Sequence, residues 1–184
     1  PWFSKDAIVA FAVAVAAAVA IKIPALFGLD MVEDGSVYAR NLSLFVLPLL
    51  TGYFVWKRKI DTSTVRWFAL AFVAAALFAN TYPFAPEGYT ELLTMLHLPI
   101  ALWLVVGIAY AGERWSQVAG RMDFIRFSGE LFIYYVLIAL GGGVLVGFTA
   151  MIFEAIGMDI EPFFETWMGP CGAVGAVIIA SWLV

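Results

Sequence analysis

Cysteine and histidine are nearly missing from this sequence, which has one of each, Cys171 and His97, in 184 residues. A lone cysteine excludes an intrachain disulfide. One histidine and one cysteine also cannot build a zinc centre from the usual ligands or a bis-histidine haem. Charge is scarce, at 13% of residues, and it nowhere gathers into the basic patch that nucleic acid requires. No Ser/His/Asp arrangement is legible, no phosphate-cradling glycine loop precedes a helix, and no paired acids sit inside an apolar run. The expectation is a protein without catalytic residues, metal, cofactor or nucleic-acid partner.

What the chain has in excess is apolar surface. Hydrophobic residues make up 64% of it, and the mean hydropathy is +0.95, more than one small core can hide. Crossing a hydrocarbon layer of roughly 30 Å takes about 20 apolar residues in a helix. Six runs approach that length: Ala7–Gly28, Leu42–Trp56, Val65–Asn80, Thr90–Gly112, Leu131–Ile156 and Met168–Val184. They are apolar on both faces, unlike the alternating strands of a barrel. The expected fold is all-α, a polytopic transmembrane helix bundle of about six spans forming a single domain over residues 1–184, with the lipid bilayer as its surroundings.

Connectors between these runs alternate in charge. Lys5, then Lys57, Arg58, Lys59 and Arg66, then Arg114, Arg121 and Arg126 fall on one side. Asp30, Glu33, Asp34, Glu87, Glu91, Asp159, Glu161 and Glu165 fall on the other, with Arg40 as the cation among them. Lysine and arginine near span ends are retained on the cytoplasmic side. This places the amino terminus in the cytoplasm and the acidic loops outside. The chain opens at Pro1 without methionine, and its last apolar run is short, so a fragment of a longer chain is expected.

An ionisable group inside a span is costly unless it snorkels, pairs or neutralises, which makes each one a candidate. With the orientation above, Lys22, His97, Glu91 and Glu154 all lie in the outer half of the membrane. They define a candidate outward polar pocket, against the plainer reading of a snorkelling lysine, a self-satisfied histidine and two interfacial acids. Pro24 and Pro99 each follow an ionisable residue by two positions and mark kinks whose freed carbonyls can receive a polar side chain. Gly141 and Gly142 mark a hinge in the fifth run.

Packing signals are more numerous. Gly143 and Gly147 form a small-xxx-small pair, Gly172, Ala176 and Ala180 continue that spacing in the last run, and Ala10, Ala14 and Ala18 do so in the first. Small residues four apart let helices approach closely in lipid. Between the fourth and fifth runs, Trp115, Val118, Met122 and Ile125 recur at helical spacing. That pattern suits either an interfacial helix over 113–128 or an inward extension of the fifth span.

The run Arg121 to Glu130, followed by Leu131 to Leu140 and the triple glycine Gly141, Gly142 and Gly143, resembles a bacterial multi-pass membrane family catalogued as domain of unknown function 4153. The likeness extends through Phe153 to Gly157 and more weakly to Trp182. It implies an inner-membrane protein longer than this chain and assigns no activity. Together these readings predict a non-catalytic membrane subunit or assembly module whose partners are other membrane subunits or the remainder of its own chain. The alternative is part of a small-molecule or ion permease that uses the outward pocket.

Overall fold

The computed structural model describes residues 4–29, 35–85 and 88–184, and all regular structure among them is helical. Asp30, Glu33, Asp34 and Glu87 of the acidic connectors lie outside the described residues, as does the side chain of Glu161. The helices are α1 (Lys5–Ala20), α2 (Ile23–Leu26), α3 (Gly35–Arg58), α4 (Thr62–Thr81), α5 (Tyr89–Ala111), α6 (Val118–Ala155), α7 (Glu161–Phe163) and α8 (Gly169–Leu183). A 3-10 turn at Gly112–Ser116 joins α5 to α6, and a π-helical turn at Phe164–Met168 joins α7 to α8. Among the described residues, four stretches are long and apolar enough to cross a membrane: Thr62–Thr81, Tyr89–Ser116, Val118–Ala155 and Phe164–Leu183.

The first two apolar runs depart from expectation for separate reasons. The first does not form one helix. After Ala20 the amides of Ile21 and Lys22 bond back to Ala17 and Val19, Pro24 sits in the short α2, and Gly28, at φ 81°, closes it with Leu29 N–H on the Pro24 carbonyl. Only 16 residues of α1 remain, short of a full crossing. The second run is longer than expected: α3 begins at Gly35 and reaches 24 residues, but Arg40, Asn41 and the Lys57–Arg58 end dilute its apolar character.

The chain forms two compact units, Pro1–Lys22 with Arg126–Val184, and Ile23–Ile125. In the first, α1 packs along α8 through small residues. Ser4 caps α1 by accepting the Ala7 amide at 3.2 Å, and Ala10, Ala14 and Ala17 are buried. On α8, Val174, Ala176, Ile178, Ala180 and Ser181 are buried. Gly172 is exposed with open space beside it, so the expected stripe is incomplete. The glycine at the contact is Gly175, where a β-carbon would lie 3.9 Å from the Ala14 carbonyl oxygen. One turn earlier, the Cys171 thiol donates to the Ala18 carbonyl at 3.6 Å. Cys171 and Gly175 share the face of α8 turned to α1, and Gly172 lies about 100° around the helix from Cys171.

In the second unit α3, α4 and α5 pack together. The α3–α4 turn closes with Ile60 N–H on the Val55 carbonyl at 3.2 Å, which puts Lys59 in the left-handed region at φ 54°. That closure is usually made by glycine. Asp61 then caps α4, accepting the Thr64 amide and the Thr64 hydroxyl, each at 2.8 Å. The backbone hydrogen bond to Thr64, with the hydroxyl second, holds the Asp61 carboxyl below its ordinary 3.8. A depressed folded-state value means the cap is complete above the ordinary carboxylate range and is lost as pH falls through the lowered value. Thermal unfolding in detergent, followed between pH 6 and pH 3, should show a fall in melting temperature that is shallower in Asp61→Asn, which caps without titrating. Parallel slopes in the two proteins would remove Asp61 from the acid response.

At the same end of this unit, α5 stops at Gly112, whose φ 58° and ψ −135° suit glycine alone. Across the turn, Arg114 pairs with Asp123 at 3.0 Å. A β-carbon on Gly120 would strike the Arg114 carbonyl oxygen. Phe124 lies flat against Gly107, where a β-carbon would come within 2.6 Å of the ring. Trp103, Tyr110 and Trp115 surround that ring at centroid distances of 5.6, 5.9 and 6.4 Å. Tyr110 passes the contact on to Phe54 on α3 at 5.3 Å.

These contacts settle the choice between the two readings of residues 113–128. No separate interfacial helix forms; a 3-10 turn is followed directly by the first turns of α6, because nothing after Gln117 stops the helix. The resulting helix has 38 residues, about 57 Å. It runs unbroken through Gly141, Gly142 and Gly143, and none of its apolar window is buried, whereas the other three candidate spans bury 22 to 28% of theirs.

Candidate functional site

A polar cluster is built from side chains on α3, α4 and α5, at the end of the second unit away from Lys57, Arg58 and Lys59. Arg40 on α3 donates through Nη1 to Glu91 Oε1 on α5 at 2.9 Å. The two side chains are only 16% and 18% exposed. The Arg40 guanidinium also lies 5.0 Å from the Phe84 ring centroid, and Phe84, Tyr82 and Phe78 stack on one another at 4.9 to 6.2 Å.

Beside this pair, Asn41 and Asn80 exchange hydrogen bonds. Asn41 Nδ2 donates to Asn80 Oδ1 at 2.9 Å, and Asn80 Nδ2 donates to Asn41 Oδ1 at 2.8 Å. Each amide group donates once more, to the Val37 and Ala76 carbonyls of its own helix. Reciprocal amide pairing of this kind joins two helices without leaving a polar group bare, and such bonds contribute about 1 kcal/mol each within a bilayer. Among the described residues, two buried side-chain atoms have no hydrogen-bond partner, Arg40 Nε and Ser43 Oγ. Each could accept a water or a polar guest as partner.

The cluster clamps α3 to α4 through the amides and α3 to α5 through the ion pair. It holds a carboxylate beside a fixed guanidinium. Among the described residues, no group of three or more histidine, cysteine, aspartate or glutamate side chains is placed to hold a metal ion.

The sequence-predicted residues are distributed as follows. In the second unit, Glu91 belongs to the clamp. His97 is exposed, and its Nδ1 is 2.9 Å from the Leu93 carbonyl of its own helix. Pro99 lies within the continuous α5; the carbonyl it frees is that of Met95, one turn back, so the ring uses a different carbonyl. Pro24 lies in the short α2. In the first unit the Lys22 ammonium sits 4.7 Å above the Trp167 ring, which the π-helical turn presents. Glu154 lines a recess of about 700 Å³ with Asp159 and Glu165. Gly141, Gly142, Gly143 and Gly147 have open space beside them.

In the sequence Arg40 counts only as the cation among the acidic connectors, and Asn41, just before the second run, and Asn80, at the end of the third, are not singled out. Their signal was available: two amides and an oppositely charged pair at matching ends of three successive runs satisfy one another. No family model matches the chain, and neither does any curated protein or solved structure.

Proposed function

We propose that the protein is a non-catalytic, multi-pass subunit of a bacterial inner membrane, and that α6 is the surface through which it assembles. The observation that carries this reading is the bare state of α6. A 38-residue helix with no buried residue in its apolar window and with open space beside Gly141, Gly142, Gly143 and Gly147 suits close approach by another membrane helix. The stretch that resembles domain of unknown function 4153 coincides largely with this helix.

Crossings beyond the four long apolar helices rest first on α3, which is about 36 Å long and packs along both α4 and α5; α1 packs along α8 but with 16 residues needs its flanking residues to complete a sixth. Orientation draws support from the recess that Arg58, Lys59 and Arg114 line together. It puts both basic connectors of the second unit at one end and the Arg40–Glu91 pair at the other, with the basic end cytoplasmic.

Substituting Gly143 and Gly147 with leucine tests the assembly role. The variant is expected to lose association, read as energy transfer between labelled chains in liposomes, while its melting temperature in detergent stays at the wild-type value. Unchanged association would sink the α6 reading. A permease is the second reading, favoured by the unpartnered Arg40 Nε and Ser43 Oγ.

A further inference from the structure

A second built feature lies at the basic end of the Ile23–Ile125 unit. A recess of about 490 Å³ opens between the α3–α4 turn and the end of α5, lined among others by Arg58, Lys59, Asp61, Gly112, Glu113 and Arg114. Two of its three cations have defined partners. The Arg58 guanidinium is set over the Tyr110 ring at 5.2 Å. Lys59 enters the lining from the left-handed turn at φ 54°. Arg114 is oriented by Asp123 at 3.0 Å. Of the two acids in the lining, Asp61 is occupied by the amide and hydroxyl of Thr64. Glu113 is the other, and among the described residues neither it nor Arg58 or Lys59 forms an ion pair.

We propose that this recess binds the phosphate of an anionic lipid headgroup. Three cations stand against two acids in the lining, an excess of one positive charge, with the Arg114 guanidinium shared with Asp123. The recess lies where α3, α4 and α5 end, the level at which headgroups lie if those helices cross a bilayer. Basic pockets between membrane helices recognise phosphate in this setting, each lysine or arginine strengthening attachment about fivefold. Arg58 and Arg114 supply the planar forks suited to phosphate oxygens, and Lys59 adds a point charge. The volume admits a headgroup and leaves the acyl chains outside.

Native mass spectrometry of the full chain, with added phosphatidylglycerol or phosphatidylcholine, tests the site. Wild type should retain phosphatidylglycerol in preference to phosphatidylcholine. Lys59→Gly should lower that retention about fivefold and Arg58→Gln with Lys59→Gly about 25-fold. Glycine suits the left-handed turn, so Lys59→Gly removes a charge without disturbing the fold. Glu113→Gln should raise retention about fivefold, a gain that a misfolded variant cannot imitate. Equal retention of the two lipids, or retention insensitive to these substitutions, would overturn the proposal. Displacement of the lipid by millimolar inorganic phosphate would overturn the lipid assignment and give the site to a soluble phosphate.

Discussion

Phe124→Ala is expected to destabilise the Ile23–Ile125 unit by about 3 to 5 kcal/mol, the range for emptying a filled aromatic site. The ring is buried, rests on Gly107 and is enclosed by Trp103, Tyr110 and Trp115, so its removal leaves a cavity that three stiff neighbours cannot close. Gly107→Val should do comparable damage from the opposite side, because its first side-chain carbon already falls within 2.6 Å of the ring. Combined with Phe124→Ala, the valine enters the vacated space, and the loss should be smaller than the sum of the two single effects. Equilibrium unfolding in detergent measures all three. Additive losses would show that the glycine and the ring do not share a site.

Arg40→Met carries the second large effect, a loss of about 3 kcal/mol, because Glu91 is left partly buried without the cation that faces it. Glu91→Leu should cost a similar amount by stranding Arg40, which already has one unpartnered nitrogen. The double variant replaces a desolvated ion pair by apolar groups of similar size and should recover most of the stability. Recovered stability together with full association in liposomes makes the pair a clamp between α3 and α5. Recovered stability with loss of a solute flux would move it to a transport pathway and favour the permease reading. If the double variant were as unstable as either single one, the Arg40–Glu91 contact would not be the source of the loss.

The third, fourth, fifth and sixth apolar runs fall on membrane-length helical stretches, because a run of some twenty apolar residues has few other stable forms in lipid. The last turn of the first run was legible less well: Pro24 was noted as a kink, but the helix had already ended at Ala20. Residues 113–128 kept two readings open because amphipathic spacing is the same for a helix lying on a membrane and for one entering it. The contacts of Phe124 and Asp123 decide between them, and a one-dimensional pattern does not hold contacts. The α8 stripe is legible in part: Ala176 and Ala180 are buried, whereas glycine at 172 and at 175 both fit a small-residue rule, and only the position of α1 selects Gly175. The Arg40–Glu91 pair joins residues 51 positions apart, beyond the reach of any local pattern.

The triple glycine in α6 has a consequence for the state in which the protein is handled. Each glycine inside a helix forfeits about 1 kcal/mol relative to alanine, so residues 141–143 are the part of α6 that its own sequence supports least, and no neighbouring side chain lies near enough to help. In hydrocarbon the backbone there has no other hydrogen-bonding partner and remains helical. In water it has one. Among the described helices α6 is the longest, and where hydrocarbon surrounds it that continuity is lent by the solvent; a mild detergent that admits water near Gly142 is expected to divide one rod into two while the other helices stay intact.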